Sequence, residues 1–124
     1  MKILIAEDDP VSRRVLATVL TKWGHEVVVT SDGKEAWEHL QRDDRPLLAI
    51  LDRMMPEMSG IDVVTELRKL PCETPTYVIM LTAMGSKENI IEGLAAGAND
   101  YVIKPFDNNE LKARIDVGRR AIES

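Results

Sequence analysis

Runs of consecutive apolar residues alternate with segments whose apolar residues recur every three or four positions, and the alternation repeats five times along the chain. The runs are KILIA (2–6), EVVVT (26–30), LLAILD (47–52), TYVIMLT (76–82) and DYVIK (100–104). A strand wetted on one face alternates apolar and polar residues, whereas an apolar run is covered on both faces. The pattern therefore predicts a parallel sheet with helices on each side, joined by right-handed crossovers: an α/β, doubly wound (βα)5 fold. Local signals agree. Asp9 and Pro10 read as N-cap and first turn of a helix carrying Val11, Val15, Leu16, Val19, Leu20 and Trp23, with Gly24 just past its end. SDG (31–33) turns into a helix over about 34–43, and a third helix over about 60–70 stops at Pro71. Ser86 caps a fourth, whose apolar face is Ile90, Ile91, Leu94 and Ala95 and whose end is Gly97. Asp107 with Glu110 reads as a capping box for the last helix.

Composition narrows the partners. With 124 residues the expectation is one domain spanning 1–124. The net charge of -5 argues against nucleic acid as a direct partner, because a phosphate backbone requires a basic footprint. No apolar stretch approaches the ~20 residues of a membrane span, and MKILIA is too short for a signal-peptide core and runs straight into acids. The lone Cys72 has no partner for an internal disulfide. The expectation is a cytoplasmic protein without membrane contact.

In a doubly wound parallel sheet the ligand site lies beyond the carboxyl ends of the strands. That rule selects Glu7 and Asp8 after the first strand, Asp52 at the end of the third, Thr82 of the fourth and Lys104 of the fifth. Asp9 is better explained as the helix cap. Three carboxylates on one rim repel one another and need a counter-cation, and an all-oxygen ligand set suits Mg2+ or Mn2+. Lys104 brings a point charge suited to a phosphoryl oxygen, and Thr82 brings a hydroxyl donor. The rim offers no Ser, Cys or His as nucleophile, so Asp52, alone at the end of the third strand, is the best candidate. A carboxylate attacking phosphorus forms an aspartyl phosphate, with catalysis mostly by positioning and charge neutralisation.

At these residues the chain resembles the receiver domain of two-component response regulators. The matching pieces are AEDDP (6–10), LDRMMPEMSG (51–60), MLTAMG (80–85) and GANDYVIKPF (97–106), and the resemblance covers essentially the whole chain. It implies the flavodoxin-like strand order 2-1-3-4-5, with Asp52 accepting a phosphoryl group from a sensor histidine kinase or histidine phosphotransfer protein. It also implies that Asp8 ligates Mg2+ directly, Glu7 largely through water, and the Met54 backbone carbonyl as a further ligand beside Asp52. By the same resemblance Lys104 pairs with the phosphoryl group, Lys104–Pro105 is a cis peptide, and Thr82 and Tyr101 form a switch pair. Read from the residues alone, Tyr101 fits a half-buried strand aromatic equally well. The resemblance further implies a signalling domain rather than an enzyme, catalysing only its own phosphorylation and slow dephosphorylation. Its output would pass to an effector domain beyond residue 124, or to a target protein, through the face of the fourth helix, fifth strand and fifth helix, with a weak homodimer on that face.

Two other functions compete. A Mg2+-dependent phosphatase of the haloacid dehalogenase type would carry a second Asp two positions after its nucleophile, where this chain has Met54. A flavin module of the same architecture would need a Ser/Thr/Gly phosphate loop after the first strand, where this chain has acids that repel phosphate. Met54 and Met84 are neither donors nor bases, so the acyl phosphate is expected to persist.

Overall fold

The computed structural model describes residues 1–71, 74–83 and 87–124, and resolves the alternation into β1 (Lys2–Ala6), α1 (Pro10–Lys22), β2 (Glu26–Thr30), α2 (Gly33–Leu40), β3 (Leu48–Asp52), α3 (Gly60–Lys69), β4 (Tyr77–Ala83), α4 (Lys87–Ala96), β5 (Asp100–Lys104) and α5 (Asn108–Glu123). All strand pairs are parallel, in the order β2-β1-β3-β4-β5. This is the (βα)5, doubly wound, flavodoxin-like sheet that the sequence predicts. The expected Ser86 cap lies outside the described residues, as do Cys72 and Met84.

Because successive side chains of a strand point to opposite faces, the sheet builds two cores. On one face Leu4, Ala6, Ala49, Leu51, Val78 and Met80 meet Ala36 and Leu40 of α2 and Val63, Val64 and Leu67 of α3. On the other, Ile3, Ile5, Leu48, Ile50, Ile79 and Leu81 meet Leu16 and Leu20 of α1 and Leu111 and Ile115 of α5. The inner strands β1, β3 and β4 are buried over nearly their whole length, but the edge strands are not: β2 buries only Thr30, and Val29 stands 45% exposed. An edge strand has a neighbour on one side only, so the prediction of cover on both faces holds for the middle of the sheet and fails at its margin.

Local chemistry sets the helix boundaries. The Asp9 side chain accepts from the Ser12 N–H (2.9 Å) with Pro10 in the first turn, and Gly24, at φ +91°, follows the C-cap. The second helix stops at Leu40, earlier than expected, because the charged segment after it closes into turns through Arg42 N–H to His39 O and Arg45 N–H to Arg42 O. Asp107 caps α5 through the N–H groups of Asn109 and Glu110, but the expected capping box is not closed: the Glu110 carboxylate takes the Arg114 Nε–H instead (3.2 Å). A reciprocal box does form at α3, between Ser59 and Asp62. The face of α4 is also corrected. Its one fully buried residue is Gly93, which rides over Met80 and Ile61, while Ile91 (58%) and Leu94 (41%) are exposed.

Candidate functional site

Strand register brings the predicted residues to one rim. Asp52 pairs with Leu81, Thr82 with Ile103, and Ala83 with Lys104, while β1 ends one residue before Glu7. The Thr30 hydroxyl donates to Ile5 O (2.7 Å) and the Glu7 N–H to Thr30 O (3.3 Å), which holds the end of β1 against β2. Gly60 brings the start of α3 hard against the site: a Cβ there would meet the Asp52 carbonyl oxygen and lie 2.8 Å from Met80 Sδ.

Glu7 and Asp52 are buried and Asp8 is exposed, yet one carboxylate oxygen from each lies within 4.8 Å of the other two. Lys104 Nζ donates to Asp52 Oδ2 and sits 2.5 Å from Glu7 Oε1, an ion-pair contact without hydrogen-bond alignment. Asp52 Oδ1 accepts from the Met54 N–H (3.0 Å), and Glu7 Oε2 from the Asp9 N–H (3.4 Å). Burial pushes the Glu7 carboxyl up to about 7, the hydrogen bond and charge of Asp52 push it the same way, and Lys104 only partly opposes them. Burial alone would lower the Lys104 ammonium, but its contacts with the Asp52 and Glu7 carboxylates outweigh that and hold it above the ordinary value. Without a cation, therefore, the Glu7 carboxyl holds its proton up to about pH 7, while Lys104 pairs with the Asp52 carboxylate. Three converging oxygens, one of them protonated for want of positive charge, form a donor set that a hard divalent cation fits.

The remaining predicted residues occupy the adjoining seam and loop. Thr82 is buried, its hydroxyl donating to Ala83 O (3.2 Å). Tyr101 is half-buried with the Arg114 guanidinium 5.4 Å from its ring centre, and Arg114 donates to Asp100 Oδ1 (2.8 Å). Thr82 and Tyr101 border one tight seam beneath α4, with Met80, Ile90 and Leu94, in which no water-sized void remains. The Met54 side chain is exposed, and its sulfur accepts from Arg53 Nη1 (3.2 Å). The Lys104–Pro105 peptide is cis. Beside Lys104 the site opens into a recess of about 450 Å³ lined chiefly by Val11, Val15, Leu81, Pro105 and Phe106.

Two arginines that sequence reasoning passed over also belong here. Arg13 Nη1 donates to Glu7 O (3.0 Å) and Asp8 O (3.4 Å), and Arg53 reaches across to Glu92 of α4 (3.2 Å). Neither carries a periodic or motif signal, because a long side chain that reaches backbone carbonyls or another helix leaves no spacing to read.

The sequence profile of the response regulator receiver domain family matches residues 3–116. The chain belongs to that family. Among relatives of this receiver domain, "Probable transcriptional regulator ycf27" of Porphyra purpurea is 48% identical over 121 residues, covering 97% of this chain and 48% of that protein. "Chemotaxis protein CheY1" of Helicobacter pylori is 36% identical over 118 residues, covering 94% of this chain and 95% of that protein. Among solved structures, the receiver domain of sensor histidine kinase PA1611 from Pseudomonas aeruginosa, with a magnesium ion coordinated in its active-site cleft, superposes with a TM-score of 0.83 at 30% identity, covering 99% of this chain and 98% of that one. The receiver domain thus spans about half the length of the transcriptional regulator and nearly all of the chemotaxis protein. Among its described residues no helix is long and apolar enough to cross a membrane.

Proposed function

We propose that this receiver domain transfers a phosphoryl group from a phosphohistidine, on a sensor histidine kinase or a histidine phosphotransfer protein, to Asp52. The observation that carries the reading is the convergence of Glu7, Asp8 and Asp52 within 4.8 Å, with Lys104 bonded to the Asp52 carboxylate. In this reading Asp8, Glu7, Asp52 and the Met54 carbonyl hold Mg2+ or Mn2+, and magnesium in the cleft of the PA1611 receiver supports that choice of ion. The bound cation supplies charge neutralisation and in-line orientation. Asp52 attacks phosphorus, and the histidine nitrogen leaves with the electron pair of the broken P–N bond. Lys104 passes from the carboxylate to the new phosphoryl oxygens, a charge-assisted contact that grows as negative charge gathers there.

Release of the signal follows from differential contacts. The Thr82 hydroxyl gives up Ala83 O for a phosphoryl oxygen, and Tyr101 fills the space this vacates in the seam beneath α4. The surface read by an effector domain or target protein, or by a second copy in a weak homodimer, is then α4, β5 and α5, where Ile91 and Leu94 stand exposed on α4 and the Asp100–Arg114 pair links β5 to α5. The apolar recess next to Lys104 is suited to a helix of the phosphodonor. Met54 cannot activate a water, so the acyl phosphate outlasts its formation and serves as a signal.

The test is incubation with acetyl phosphate and Mg2+ followed by intact-mass measurement. Wild type should gain one phosphoryl group and Asp52→Asn none, since a neutral amide cannot form the acyl phosphate. An unmodified wild type, or a phosphorylated Asp52→Asn protein, overturns the assignment.

A further inference from the structure

Glu7, Asp8 and Asp9 form a three-residue link between Ala6, the last residue of β1, and Pro10, the first of α1. Two of its side chains belong to the acidic cluster, and the exposed Asp8 carboxylate has no hydrogen-bond donor of its own among the described residues. The point from which it projects is therefore set by its backbone alone. That backbone is held from α1: the Arg13 N–H donates to Asp9 O (2.9 Å), while the Arg13 guanidinium, through Nη1, reaches Glu7 O (3.0 Å) and Asp8 O (3.4 Å). The Asp9 carboxylate closes the clip by capping the helix at Ser12.

We propose that Arg13 is a positioning residue for the cation ligands Glu7 and Asp8, fixing the peptide groups from which their carboxylates project. The proposal rests on the reading of the acidic cluster as a Mg2+ or Mn2+ site. Its force comes from a conflict of signs. Arg13 is a cation close to a cation site, so by charge alone it weakens metal binding, and removing it would tighten binding. By geometry it pre-organises the ligands, and removing it would loosen binding. Groups that orient a metal's ligands are typically worth about 10–100-fold in metal affinity. Arg13 acts through the ligands' backbone rather than on the carboxylates, which places it at the lower end. Geometry should therefore outweigh charge.

The experiment is titration with Mn2+ alone, reading free ion by electron paramagnetic resonance, on wild type, Arg13→Gln, Arg13→Lys and Arg14→Gln. Arg13→Gln should bind Mn2+ about tenfold more weakly. Arg13→Lys keeps the charge and can reach one carbonyl, and should recover part of the loss. Arg14→Gln removes the same charge from the exposed neighbour and should bind as wild type or slightly more tightly. A general loss of stability would lower the melting point in chelator without changing the affinity of the folded protein. Should Arg13→Gln fail to fold, Arg13→Lys against Arg14→Gln decides: equal affinities for these two overturn the proposal. Arg13→Gln binding as tightly as wild type, or more tightly, removes the positioning role while leaving the metal site standing. Absence of Mn2+ binding by wild type removes both.

Discussion

A carboxyl group buried at the end of β1 with a second carboxylate against it keeps its proton well into the neutral range, and Glu7, pushed up to about 7 from 4.5, is that group here. Between those two values the folded protein binds more protons than the unfolded chain. Metal-free stability should therefore be highest below about 4.5 as far as this group is concerned, fall as pH rises through about 7, and level off above it. Mg2+ competes with the same proton, so its affinity should rise through the same window, and saturating Mg2+ should flatten the stability profile. Denaturant titrations from about pH 5 to about pH 8, in chelator and in Mg2+, measure both effects. In Glu7→Gln the metal-free slope should disappear. A slope of unchanged size in that variant would place the titrating group elsewhere.

Among the helices, α4 has the fewest fully buried residues. It buries only Gly93 fully, and the Arg53–Glu92 ion pair ties its flank to the residue after Asp52. Gly93 and Gly60 make opposite predictions from the same substitution. A Cβ at Gly93 would meet Met80 and Ile61 at ordinary distances of 3.7 to 4.0 Å inside a helix, so Gly93→Ala should stabilise the protein by about 0.5–1 kcal/mol. A Cβ at Gly60 would overlap the Asp52 carbonyl, so Gly60→Ala should cost about 1–3 kcal/mol and slow phosphorylation by displacing Asp52. Equilibrium unfolding of both variants, with phosphorylation rates from acetyl phosphate, checks the pair. The same helix marks where the sequence stops being readable. The inner strands, the caps at Asp9 and Asp107, and the rim acids were all legible, because each rests on a local pattern or on a rule of sheet topology. Which of two overlapping apolar stripes α4 turns inward was not, since Ile90, Ile91, Leu94 and Ala95 satisfy helical spacing whichever way the helix rolls. The roll the fold adopts lays Gly93 over Met80 and Ile61, a contact with no signature in the sequence. Arg13 and Arg53 escaped for the same reason, their partners being fixed only by the fold.

At the scale of the whole molecule, Glu7, Asp8, Asp52, Thr82 and Lys104 lie at one end of the sheet, just after β1 or at the carboxyl ends of β3, β4 and β5. A ligand binding there bridges elements far apart in sequence and stabilises the fold as a unit. At about ten times its dissociation constant Mg2+ should add about 1.4 kcal/mol, a rise in melting temperature of about 5 °C. Scanning calorimetry with and without Mg2+ reads the shift, and Asp8→Asn should reduce it. The far end of the sheet is built differently. There the Arg68 guanidinium donates at once to Gly97 O (2.9 Å), Thr76 O (2.9 Å) and Asn99 Oδ1 (2.7 Å), and Asn99 is paired in both directions with the backbone of Val78. Arg68 and Asn99 thus pin the tail of α4, at the end of the sheet away from Asp52, so the helix is hung like a door with its hinge at the Gly97 end. Phosphorylation should swing the Lys87 end and leave the Gly97 end still. In hydrogen-exchange measurements the Val78 and Asn99 amides should keep the same protection before and after phosphorylation, while amides in the first turn of α4 change. Arg68→Ala should draw the pin, and the change in protection should then run the full length of the helix.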